Sequence, residues 1–137
     1  MARTDIPAGR TETTAVAAPL TTTALAGLVA LGVLLQGAFA GGFLSGHHVW
    51  RGAHETLGDL LIVLPLASLV VGLIAARRQP ETKSVLASRV GLLVLLVLVI
   101  TTGHAGRGLL ALHIPAAIAT VGLVTRQFVV ASQAIRR

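Results

Sequence analysis

"LLALHIPAAIATVGL", residues 109–123, is a run of apolar and small residues interrupted by a single imidazole, that of His113. Its character suits a segment that crosses hydrocarbon, for which about 20 mostly apolar residues are needed. An ionisable side chain in such a segment is by default a functional feature whose partner has to be found.

Working outward from it, three further segments approach the same length, so that residues 23–44, 57–76, 85–103 and 108–125 read as four spans. The connections, residues 45–56, 77–84 and 104–107, are too short to fold alone. Over the 137 residues, 54% of side chains are hydrophobic and only 12% are charged, which excludes an ordinary soluble domain. The expected architecture is all-α, an up-down bundle of four transmembrane helices forming one domain over residues 23–131. A flexible cytoplasmic tail of residues 1–22 would precede it and a basic cytoplasmic tail of residues 132–137 would follow. The Thr-, Ala- and Pro-rich beginning has no compact apolar core and does not read as a cleaved signal peptide.

The chain contains no cysteine. Disulfides, iron–sulfur clusters and thiolate ligation are thereby excluded, and histidine is left as the one strong nitrogen ligand. The formal net charge of +6 is, in a membrane protein, an orientation signal rather than a sign of nucleic-acid binding. Arg3, Arg10, Arg77, Arg78, Lys83, Arg89, Arg126, Arg136 and Arg137 fall on one side of the bundle, and only Arg51 and Arg107 on the other. The positive-inside rule therefore expects both termini in the cytoplasm and the protein in the plasma membrane. All five histidines, His47, His48, His54, His104 and His113, then lie at the outer helix ends.

His47 and His48, in "SGHHVWRG" beside Trp50, read as solvated interfacial residues. His113 lies six residues inside Arg107, ~9 Å along a helix. A short internal repeat supplies its partner: "LLQGAFAGG" at 34–42 is echoed by "ITTGHAGRG" at 100–108, and each copy is followed by a histidine, His54 or His113, that itself comes after an Arg-Gly pair. This 2+2 arrangement is of the kind that places a site at the repeat interface. Spans 2 and 4 of an up-down bundle run parallel and diagonally opposite, so the two imidazoles are expected to face each other at one depth.

Small residues nearby, Gly58 below His54, Ala116, Ala117 and Thr120 below His113, and Gly37, Ala40 and Gly41 on span 1, would leave room for a flat macrocycle or permit close helix packing, the commoner role of such residues in membranes. Arg51 and Arg107 would neutralise haem propionates or serve as ordinary interfacial flanks. Glu55 and Asp59 would stabilise a helix start or orient a ligand imidazole.

The order of a Gln/Gly-rich outer end of span 1, a histidine opening span 2 and a histidine opening span 4 resembles one four-helix half of the heme A synthase family, over about residues 30–125. The resemblance implies His54 and His113 as axial haem ligands. Arg51 stands three positions before His54 where the family's catalytic half has a glutamate a turn ahead of its ligand, Glu55 follows directly, and the outer-loop cysteine pair is lacking. A haem-binding half-module rather than heme A synthesis is what the resemblance then implies.

The expectation is thus a membrane protein holding one non-covalent haem b near the outer face through His54 and His113, with His104 as the alternative ligand, for electron transfer or haem handling. Two axial imidazoles leave no open position on iron, so enzymatic turnover is left open. Expected partners are the bilayer and a membrane redox partner or a second copy of the chain, with no nucleic acid. Two other readings stand beside it: a cofactor-free structural or assembly subunit, and a divalent-metal site at the outer rim built from His47, His48, His54 and His104 with Glu55 or Asp59.

Overall fold

The computed structural model describes residues 12–77 and 83–135, and apart from short connections all of these are helical. Helix α1 is Glu12–Leu44, α2 is Val49–Leu61, α3 is Val63–Ala76, α4 is Lys83–His104, and a single 3-10 turn, Arg107–Leu109, leads into α5, Leu110–Ile135. Four segments are long and apolar enough to cross a membrane: Leu20–Leu44 (span 1), Val49–Ile74 (span 2, made of α2 and α3), Lys83–His104 (span 3) and Arg107–Ile135 (span 4). Span 1 packs on span 2 and span 4, and span 3 packs on spans 2 and 4. The result is a four-helix ring with spans 2 and 4 on its diagonal.

The interior is small. Val29, Leu92, Leu96 and Val124 form its buried centre, flanked by Ala30, Val33, Leu64 and Leu123. Leu34, Val94 and Ile118 instead expose 69%, 62% and 67% of their surface. In water such a surface would aggregate; against lipid tails it costs nothing, because hydrocarbon is as apolar as leucine.

Three boundaries differ from the sequence reading. Helix α1 begins at Glu12, inside the stretch read as a flexible tail, and α5 continues to Ile135, well past residue 125. Residues 1–11 and 136–137 lie outside the described residues. Span 2 starts at Val49 rather than 57, because the charges of "VWRGAHETLGDLL" are sorted by the helical period. Arg51, Glu55 and Asp59 share an exposed face, whereas His54, Gly58 and Leu61 turn inward. Span 2 is also not one continuous helix. Pro65 has no N–H for the carbonyl of Leu61 and its ring crowds that carbonyl, so α2 stops at Leu61 and α3 resumes after Ile62.

The reversals that bring both histidine-bearing helices to one end rest on glycine. Gly46 adopts a φ of 94°, its N–H bonding Phe43 O and that of His47 reaching back to Gly42 O, the paired bonds of a Schellman cap. Gly106, with φ 78° and ψ −158°, follows α4 in a backbone conformation that favours glycine. The opposite end carries Arg77, Lys83 and Arg126, all exposed. Arg89, read as a charge flanking the connection of spans 2 and 3, instead lies within α4, only 6% exposed. Its guanidinium donates to the backbone oxygen and hydroxyl of Ser68, in space left by Gly72.

Candidate functional site

His54 sits in the second turn of α2 and His113 in the first turn of α5. Their ring centroids are 6.5 Å apart and their planes are inclined at 70°. Both are half-buried, and each is oriented from the adjoining odd-numbered span. His54 Nδ1 donates to the backbone carbonyl of Gln36 at 3.2 Å. His113 Nδ1 donates to the carbonyl of Val99 at 2.9 Å and lies 3.4 Å from the Thr102 hydroxyl oxygen. A carbonyl oxygen can only accept, so in both rings Nδ1 carries a proton, and in the neutral form of the ring Nε2 keeps its lone pair. That is the tautomer of a histidine prepared to bind a metal through Nε2, its second nitrogen tied to a backbone oxygen.

The two supports are built alike. On span 1 the Gln36 amide also returns a bond, Nε2 to the carbonyl of His54 at 2.9 Å, so that residues 36 and 54 are joined twice. Gly58 makes this possible: a Cβ there would stand 2.8 Å from Gln36 Nε2. On span 3 the Thr102 hydroxyl donates to Leu98 O at 2.6 Å and turns its oxygen toward His113. A Cβ on Gly103 would meet His113 Cε1 at 3.1 Å, so the bare glycine lets the imidazole lie against the helix. The supporting oxygens do not follow the repeat register, since Gln36 aligns with Thr102 whereas Val99 is the carbonyl used on span 3.

Gln36 itself is expensive. Its Oε1 is buried and has no hydrogen-bond partner among the described residues. An unsatisfied buried acceptor costs about 1–3 kcal/mol, whereas an interhelical hydrogen bond in a membrane protein is worth on average about 0.6 kcal/mol. Packing alone would be served as well by an apolar side chain.

The other expected site residues are spread around this pair. Arg51 pairs with Glu55 at 2.8 Å and lies 6.0 Å from the centre of the Phe43 ring, both on the exposed face of α2. Arg107 is exposed at the start of the 3-10 turn. Ala117 is half-buried one turn below His113, next to buried Ala116 and Thr120. Gly37 and Gly41 are exposed, with nothing within 4 Å of where a Cβ would stand. His104 turns its Nε2 toward Asp59 Oδ1 at 3.6 Å, bridging the ends of spans 3 and 2. His47 and His48 are exposed, His48 lying edge-on to Phe43. Among the described residues no three His, Asp or Glu side chains gather in a way that could hold a metal ion.

Sequence reasoning missed the orienting groups, Gln36, Val99, Thr102 and Gly103. The backbone oxygens carry no residue signature; the glutamine inside an apolar span was the one visible signal. No family model, curated protein or solved structure matches this chain.

Proposed function

We propose that this chain is an integral membrane cytochrome of b type, holding one non-covalent haem between His54 and His113 and serving in one-electron transfer. The observation that carries the reading is a pair of imidazoles whose centroids are 6.5 Å apart, each with its Nδ1 on a backbone carbonyl oxygen of the adjoining span. Two histidines bound to one metal at about 2 Å each place their ring centroids roughly 6 Å apart. Two protein ligands are too few for a structural zinc site, which takes four. They are the full protein complement for a haem, whose macrocycle supplies the other four nitrogens.

Haem would supply the one-electron iron couple, and this chain's own residues would hold and tune it. The Gln36 and Val99 carbonyls make each imidazole a stronger donor by taking its second N–H. Arg107 would offset propionate charge, whereas the charge of Arg51 is already matched by Glu55. Held by both imidazoles, the group would supply electron transfer rather than a place for substrate to bind. The charge distribution supports both termini in the cytoplasm and the histidine end outside, in the plasma membrane. A single haem at one end does not span ~30 Å of hydrocarbon, so the redox partner would approach from the outer side or sit beside the bundle, as another membrane subunit or a second copy.

Haem extraction from the purified protein, with iron quantified in parallel, tests this. One protoporphyrin and one iron per chain are expected. A protein that carries neither and takes up no added hemin overturns the proposal and leaves the cofactor-free subunit.

A further inference from the structure

Two glutamine amides reach across the bundle to a backbone carbonyl on a neighbouring span. Gln36 Nε2 donates to His54 O at 2.9 Å, and Gln127 Nε2 donates to Ser88 O at 2.8 Å and to the Ser88 hydroxyl at 3.1 Å. They lie at opposite ends of the molecule. Similar in chemistry, they differ in three respects that point to different duties.

Gln36 meets a residue that also bonds back to it through its side chain, since the His54 imidazole donates to the Gln36 carbonyl. The closed pair leaves α2 no freedom to slide or rotate against α1 without breaking both bonds. Gln36 also occupies space that a single residue, Gly58, keeps open one turn along α2 from His54. Finally, Gln36 holds its Oε1 buried without a partner among the described residues, a cost that the bond to His54 alone does not offset. Packing therefore does not account for this amide.

We infer that Gln36 is the positioning residue of His54: its amide, held between Gly58 and the His54 carbonyl, fixes the turn of α2 from which the imidazole projects, and thereby its tautomer and its strength as a ligand. The tautomer part stands on the geometry alone. The ligand part rests on the proposed haem reading, and the two are separable. Outer partners of ligand histidines typically change metal affinity 10–100-fold when removed.

The test compares Gln36→Met, which keeps length and shape but has no amide, with Gly58→Ala, which keeps Gln36 and fills its space, and with Gln127→Met as the structural control. In the haem-free full-length protein, 15N NMR of the histidine rings, assigned against His54→Ala, should show His54 protonated at Nδ1 in the wild type and in Gln127→Met. In Gln36→Met and Gly58→Ala it should exchange between both tautomers. In hemin titrations the same two variants should bind 10–100-fold more weakly, and Gln127→Met within about 2-fold of wild type. Gly58→Ala carries the test if Gln36→Met does not fold, because alanine strengthens rather than weakens a helix. An unchanged His54 tautomer in the folded variants, or equal losses in Gln36→Met and Gln127→Met, overturns the positioning role. If no form binds hemin the haem reading fails, while the tautomer comparison still decides the role of Gln36.

Discussion

His54 and His113 stand on spans 2 and 4, which face each other across the diagonal of the bundle, yet their rings approach to 6.5 Å. The contact is arranged by the intervening spans. Span 1 grips His54 through Gln36, and span 3 grips His113 through Val99 and Thr102. The bundle thus sets two side chains against each other through four helices, which is what a rigid ligand pair requires and what two mobile surface histidines could not provide.

Gly103 is expected to be intolerant of growth. An alanine Cβ would press on His113 at 3.1 Å and move the ring by a few tenths of an ångström, away from the Val99 carbonyl. Gly103→Ala should weaken hemin binding about 10-fold. Helical content by circular dichroism should be unchanged.

His104 should be dispensable. Its contact with Asp59 is exposed on both sides and 3.6 Å long, and such pairs are worth about 0–1 kcal/mol. His104→Ala should keep its haem with a wild-type visible spectrum and melt within a few degrees of the parent. Loss of haem from that variant would transfer a ligand to the end of span 3.

The opposite end should respond independently. Gly72→Leu would displace the Arg89 guanidinium from Ser68, and overpacking of this kind costs about 1–3 kcal/mol. A lower midpoint of thermal unfolding in detergent is expected, with the visible spectrum of the loaded protein unaltered below it.

Orientation is tested by access. A tag at either terminus should be protected from protease added to intact cells, whereas an epitope inserted at Gly46, in the exposed reversal after α1, should be cut.

Span count and the meeting of His54 with His113 were legible in the sequence, because apolar length marks the spans and up-down order makes spans 2 and 4 parallel. The start of span 2 was not. Arg51, Glu55 and Asp59 interrupt the apolar run when read in a line and become one exposed stripe when wound at the helical period. Arg89 was counted with the basic residues around the connection of spans 2 and 3, whereas Gly72 and Ser68, distant in sequence, create the place where it is buried. The orienting carbonyls were invisible for a deeper reason: every residue has one, and only packing decides which of them a histidine reaches.

The most direct measurement is the visible and electron paramagnetic resonance spectrum of the purified, hemin-loaded protein, taken for the wild type and for His54→Ala and His113→Ala. The account predicts a six-coordinate, low-spin iron in the wild type that binds carbon monoxide poorly when reduced, because imidazole fills both axial positions. Each alanine variant should become high-spin and carbon monoxide-reactive or lose its haem, with the helical fold intact. A low-spin spectrum unchanged in either variant would contradict it.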